Sequence, residues 1–362
     1  MSGGLRVLLV TPDYPPARGG IQYLLHGIVR HASRVRFRVV TLGGRPGSIE
    51  EEGVHVRRVP RRGPHAGTVA LLNARALAEA RSWRADVVLS GHIVMAPAAR
   101  LTGLPFVQYL YAKEVAHRAR LTSFAVRHAT ASIVLGAHGR SLALSAGAAA
   151  ERVHAIPPGI DLPPRPATTP GDRPAMIVNV ARLEDRYKGF DVLVRALPLI
   201  RSRIPDATLT LVGDGRLRAA LEALAQANGC GEALRCAGDV SDAERDALLS
   251  SAAVFAMPSR LPPGSGGEGF GIVYLEAGAH GTPVVAGDVG GARDAVVHEQ
   301  TGLLVAPEDH VEVAEAISDL LLDRERATRL GDGGREWAER FAWPAIVGKV
   351  EDVLLSAAER RR

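Results

Sequence analysis

The chain has 362 residues, 46% of them hydrophobic and 23% charged, with a formal net charge of +5. That length exceeds one ordinary core and suits two domains, and the composition is that of a soluble globular chain. No apolar run reaches the roughly 18 to 20 residues of a membrane span, and no dense basic tract interleaved with aromatics points to nucleic acid. The N-terminus runs from Met1 straight into a strand-like stretch without a signal-peptide pattern, so a cytoplasmic location is expected. Cys230 and Cys236 have no His or Cys neighbours at metal-ligand spacing and read as reduced thiols. The only lysines are Lys113, Lys188 and Lys349, in a chain that otherwise uses arginine. Lys349 sits in a terminal helix and reads as incidental; the other two raise the question of a required compact ammonium.

Leu5–Val10 is a short apolar run consistent with a buried parallel strand. Thr11–Gly20 then breaks regular structure, and Ile21–His31 has a helical pattern. A strand, the glycine pair Gly19–Gly20 and a helix N-terminus form an anion-binding arrangement, although a plain βα turn has the same signature. Further strand-like runs lie at 37–42, 54–59, 86–90, 105–109, 131–135 and 153–156, with helical patterns at 68–81 and 115–127. Such alternation implies a doubly wound sheet with ligands outside the carboxyl ends of its strands. Arg57, Arg58, Arg61 and Arg62 precede an amphipathic helix that has Trp83 near its end. A membrane-surface patch is one reading of this cluster, and a solvated face is the favoured one.

The segment 163–174 is rich in Pro and Thr without periodicity and reads as a linker. The second half restarts with a strand at 175–180. Arg182 and Lys188 occupy the loop between that strand and a helix from about Phe190; a planar fork and a point charge suit a departing pyrophosphate. Thr208–Val212 leads to Gly213-Asp-Gly215, which lacks the third glycine and the downstream acid of a dinucleotide fingerprint. A strand at 253–258 feeds Gly266-Gly-Glu-Gly-Phe-Gly-Ile-Val-Tyr-Leu-Glu276. Glycine lets backbone N–H groups approach a ligand, and a helix beginning near Phe270 or Gly271 aims its positive end at it. Glu268 lies in the mouth of this loop and Glu276 two turns further on, on much the same face. An anion cradle flanked by two carboxylates suits a nucleotide sugar. A strand at 301–305, helices at about 311–322 and 324–340, and a last helix from about Pro344 complete the chain.

The Gly266–Glu276 stretch closely resembles the Glu-x₇-Glu signature of the retaining glycosyltransferases of family 4, whose fold is GT-B. Three other segments resemble the same family: the Arg182-Leu…Lys188-Gly pattern, Pro157-Pro-Gly-Ile-Asp161, and the Gly238-Asp-Val240 turn. The resemblance spans nearly the whole chain and is strongest in the second half. It implies two Rossmann-like, doubly wound α/β domains facing a cleft. Residues 1–164 would form the acceptor domain, with 342–362 crossing back onto it, and 165–341 the nucleotide-sugar domain. It implies transfer of a sugar from a UDP- or GDP-sugar to a hydroxyl with retention. Arg182, Lys188 and the N–H groups of Gly19, Gly20 and the Gly269, Phe270, Gly271, Ile272 turn would stabilise the departing diphosphate, with no metal ion and no other cofactor. Glu276 would accept from ribose hydroxyls, Glu268 from sugar hydroxyls, and the Gly238 and Val240 backbone would meet the base. Relatives often carry Gly-His-Glu where this chain has Ala112, Lys113 and Glu114, so Lys113 is the candidate to replace that histidine, with His117 a weaker one. The stretches look similar both to phosphatidylinositol mannosyltransferases and to natural-product transferases, including aminoglycoside ones. A small polyol, aminocyclitol or natural-product acceptor is expected, in a pathway such as antibiotic biosynthesis. The alternatives are a membrane-associated mannosyltransferase and a non-catalytic nucleotide-sugar-binding protein.

Overall fold

Runs of Val, Leu and Ile too short for helices and apolar on both faces form parallel strands covered by helices on both sides. The computed structural model describes residues 4–44, 47–61, 65–166 and 168–360. They fall into two units, one built from Met1–Gly159 with Phe341–Arg362 and the other from Ile160–Arg340.

In the first unit, chain order is β1 (Leu5–Val10), α1 (Gly20–His31), β2 (Val35–Leu42), β3 (Gly47–Glu51), β4 (Val54–Val59) and α2 (His65–Ser82). There follow β5 (Val87–Ser90), α3 (Ala96–Leu101), β6 (Phe106–Tyr109), α4 (Ala112–His117), α5 (Ala119–His128), β7 (Ala131–Val134), α6 (Ala137–Ser145) and β8 (Val153–Ala155). The sheet order is β3-β4-β2-β1-β5-β6-β7-β8. Every neighbouring pair is parallel except β3 with β4. Strand order reverses between β1 and β5, which makes their carboxyl ends the ligand-binding switch point of this sheet.

The second unit runs β9 (Met176–Val180), α7 (Phe190–Arg203), β10 (Thr208–Val212), α8 (Arg218–Ala227), β11 (Leu234–Gly238), α9 (Asp242–Ser251) and β12 (Val254–Met257). It continues with α10 (Ile272–Ala279), β13 (Val284–Gly287), α11 (Ala292–Ala295), β14 (Gly302–Val305), α12 (His310–Leu322) and α13 (Arg324–Glu339). Its sheet, β11-β10-β9-β12-β13-β14, is parallel throughout and reverses between β9 and β12. Two doubly wound parallel sheets, each with its own buried aliphatic core, are the architecture expected from the alternating pattern.

The last helix, α14 (Trp343–Glu359), belongs to the first unit and packs on α1. Trp343 is 2% exposed, stacks on His31 and lies 5.5 Å from the Tyr23 ring. Buried Glu351 accepts hydrogen bonds from the backbone N–H groups of Ser33 and Arg34 and from the Arg34 guanidinium.

Three expectations need correction. The helix expected over 115–127 is two helices broken at Arg118, whose φ of −135° ends α4 and begins α5. Two arginines of the basic cluster are committed inside the fold: Arg58 is 5% exposed and bound to Glu51, and Arg57 pairs with Glu79. Arg62 lies outside the described residues. Finally, the segment read as a linker is anchored, because buried Arg173 donates to Ala252 O, Thr282 Oγ1, Thr168 O and His280 O. Burial pulls its pKa down to about 10.

Candidate active site

In the second unit, chemistry-bearing residues gather where β9 and β12 end side by side. Asn179, fully buried, donates across this junction to Ala256 O at 2.7 Å. Beyond β9 the chain turns through Arg182 and a short 3₁₀ segment, Arg186–Lys188, before α7. Beyond β12 it runs through the glycine-rich loop to Gly271, the N-cap of α10. Arg260 ties the two loops together, donating to both oxygens of Asp191 and to Arg186 O.

Lys188 Nζ forms an ion pair with Glu268 Oε2 across the switch point, with only 17% and 12% of the two side chains exposed. Glu268 lies in the loop before α10 begins at Ile272, so helical spacing does not put it on one face with Glu276. That reading is corrected: Glu276 instead faces α9, where Arg245 Nη1 lies 3.8 Å from its Oε1. Burial pushes the Glu276 carboxyl pKa up; Arg245 pulls it down, while Asp246, Asp242 and Asp161 push it further up. Arg182 is exposed, and its guanidinium has no hydrogen-bond or ion-pair partner among the described residues. The backbone N–H groups of Ile272 and Val273 likewise have none, as expected in the first turn of a helix. Tyr274 fixes this helix start, donating from its hydroxyl to Met257 O at 2.8 Å.

The glycine-rich loop is also held from the β13 side. Gly291 N donates to Glu268 O at 3.0 Å, and a Cβ on Gly291 would lie 2.3 Å from Gly269 O. At the ends of the next strands, Gly213 N donates to Gly238 O at 2.9 Å, and Val240 follows two residues later. The sheet thus brings Arg182, Lys188, Glu268 and the Gly269–Ile272 turn together around one switch point, with Glu276 one helix away and Gly238 and Val240 at the end of its edge strand.

In the first unit, Gly19 and Gly20 stand at the start of α1, beyond β1. Lys113 lies half-buried in the first turn of α4, with His117 exposed at the end of that helix. Sequence reasoning missed His92, which follows β5 and faces Glu114: His92 Nδ1 lies 2.9 Å from Glu114 Oε1. The signal was available in Ser90-Gly-His92 at the end of an expected strand, but only sheet order brings that end to Glu114. Among the described residues no group of three or more His, Cys, Asp or Glu is placed to hold a metal ion, and no helix is long and apolar enough to cross a membrane.

Residues 165–337 match the family described as Glycosyl transferases group 1. A GDP-mannose-dependent alpha-(1-6)-phosphatidylinositol monomannoside mannosyltransferase of Mycobacterium tuberculosis is 34% identical over 384 aligned positions, which cover 96% of this chain and 98% of that protein. The chain is a family-4 glycosyltransferase. Its fold is GT-B, shared with sucrose-phosphate synthase of Thermosynechococcus elongatus, at a TM-score of 0.83 and 24% identity over 98% of this chain and 100% of that one. Anabaena HepE, solved in complex with UDP and glucose, superimposes with a TM-score of 0.80 at 20% identity over 97% of this chain and 100% of that one. The glycosyltransferase is accordingly an enzyme that takes a sugar from a nucleotide-sugar donor.

Proposed function

We propose that this glycosyltransferase moves a hexosyl or pentosyl group, with retention at the anomeric carbon, from a UDP- or GDP-sugar to a hydroxyl of a small polyol, aminocyclitol or related natural-product acceptor. The observation that carries this reading is the Lys188–Glu268 ion pair beside the unbonded N–H groups of α10. Glu268 neutralises the Lys188 ammonium. A bound diphosphate replaces Glu268 as the partner of Lys188, and Glu268 is then free to accept from sugar hydroxyls and to face positive charge growing on the ring.

Arg182, Lys188 and the N–H groups of Phe270–Ile272 stabilise the departing diphosphate. These groups take the role a metal ion would otherwise fill, so turnover is expected to survive EDTA. Glu276, held by Arg245, accepts from the ribose hydroxyls, Gly238 and Val240 meet the base, and Lys113 contacts sugar or acceptor. The bond from the anomeric carbon to the diphosphate oxygen breaks while the bond to the acceptor oxygen forms on the same face. The acceptor proton passes to the departing diphosphate. No side chain is assigned as a covalent nucleophile.

A second reading, mannosyl transfer from GDP-mannose to a phosphatidylinositol-type glycolipid at a membrane surface, is favoured by the name of the mycobacterial relative. Proton NMR of the anomeric region distinguishes the two. With GDP-mannose or UDP-glucose and either free myo-inositol or phosphatidylinositol vesicles, the first reading predicts a new α-linked product with the free polyol. Product from the vesicles alone supports the second reading. A β-linked product contradicts retention, and an unchanged donor in every mixture contradicts both readings.

A further inference from the structure

The imidazole of His92 stands at the switch point of the first sheet, where a doubly wound fold places its ligands. Gly91 lets it do so: Gly91 N donates to Val10 O at 2.9 Å, and a Cβ there would lie 2.9 Å from Thr11 Cβ and from Leu25 Cδ1. Only a residue without a side chain brings the end of β5 this close to the end of β1. The next turn is anchored by Ile93 and Met95, both fully buried. Glu114, 7% exposed, reaches His92 from α4 and also accepts from the N–H groups of Ile93 and Tyr111, each at 3.2 Å. The dyad is thus fixed by three strand ends.

Two groups compete for Nδ1. Val94 N lies 3.2 Å away as a donor and the Glu114 carboxylate 2.9 Å away as an acceptor. Val94 N–H donates to Nδ1 while the Glu114 carboxylate holds the ring as an ion-pair partner, so Nε2 carries a proton in the neutral and in the charged ring. His92 Nε2 has no hydrogen-bond partner among the described residues, and the side chain is 19% exposed.

We propose that His92, oriented by Glu114, binds the polyol acceptor by donating a hydrogen bond from Nε2–H to one of its hydroxyl oxygens. This deepens the reading under Proposed function and rests on it. No bond is made or broken at His92; the residue fixes which hydroxyl is presented. The charged groups around the ring are Glu114 on α4, Asp13 after β1 and Arg118 between α4 and α5. Burial lowers the imidazole pKa, Glu114 and Asp13 raise it by more, Arg118 opposes them, and the net shift is upward. The Nε2–H donor is present on both sides of that pKa.

The test is nitrogen NMR of the full chain labelled at histidine, with myo-inositol as probe, for the wild type, His92→Gln and Glu114→Gln. The expected result is one imidazole, missing in His92→Gln, that carries its proton on Nε2 when neutral. It should titrate above the ordinary histidine value of about 6.5, and its Nε2 resonance should move saturably with myo-inositol at neutral pH. Glu114→Gln should lower that pKa and weaken the myo-inositol response, which a purely structural contact would not do. A neutral Nδ1–H tautomer, or an Nε2 resonance that saturating myo-inositol leaves in place, overturns the proposal. Calorimetry with UDP and GDP on the same samples separates this result from the wider reading. Nucleotide binding retained in His92→Gln means that failure concerns His92 alone, whereas no nucleotide binding in the wild type means that the donor reading has failed.

Discussion

At Glu276 a carboxylate with only 17% of its side chain exposed is balanced by one arginine. Its pKa is raised by burial, with Arg245 as the group that opposes the rise. Nucleotide affinity should therefore be full above that pKa and fall as pH drops through it, because a protonated carboxyl accepts ribose hydroxyls less well. Replacing Arg245 with methionine removes the downward pull and should move this acid limb to higher pH, by about one unit for each ~1.4 kcal/mol of lost interaction. Calorimetric titration with nucleotide across the carboxylate range checks the sign; an unmoved or downward-shifted limb contradicts the assignment. Lys188 and Glu268 could be picked out from local sequence because their motifs lie in short loops. Arg245 and His92 could not, since they reach their partners only through the adjacency of α9 with α10 and of β5 with β6. Lys113 drew attention as a rare lysine, while the buried member of that segment is Glu114.

Among the elements, the most exposed to a single change is the glycine-rich loop before α10. Gly291 has an ordinary φ of −72°, so alanine there meets no backbone strain, only the Gly269 carbonyl 2.3 Å from the new Cβ. Gly291→Ala should push that loop away from its place beside Lys188. The expected effect is overpacking of about 1–3 kcal/mol in stability, together with a weakened donor site. Denaturant unfolding and nucleotide titration read the two effects separately, and a variant with wild-type values of both would show that the loop is not held from this side. Strand positions were legible because an apolar run of four to six residues between turns has few alternatives; Thr208–Val212 and Val54–Val59 begin and end where expected. The antiparallel β3, Gly47–Glu51, was not, because its Ser-Ile-Glu-Glu pattern carries no hydrophobic run and it forms only by pairing with β4. The break at Arg118 was hidden for a related reason. Nothing local stops a helix there, and buried Thr122 is tied back to Glu114 O only in the folded unit.

For the whole molecule, two doubly wound sheets each offer a switch point, and each switch point is occupied by its own polar pair. The second unit holds Lys188 with Glu268, and the first holds His92 with Glu114. An aromatic anchor and the buried Glu351 carboxylate hold α14 on the first unit. Trp343 fills the space left by Gly27 and Gly159, where a Cβ would come within 2.2 Å of its ring. The division into two units follows from length and from the restart of the β-α pattern. Which side chains meet at each switch point follows from strand order, which no single segment encodes.

The most direct test of a donor site organised around Lys188 is calorimetric titration of the full chain with UDP, GDP and ADP in the presence of EDTA, for the wild type and Lys188→Ala. We predict that one nucleotide binds the wild type without metal and that Lys188→Ala weakens this by about tenfold or more, roughly 1.4 kcal/mol. Turnover should fall by about 10²–10³, as when a transition-state charge stabiliser is removed. Binding that needs a divalent cation, or that is equal in the two proteins, contradicts the account.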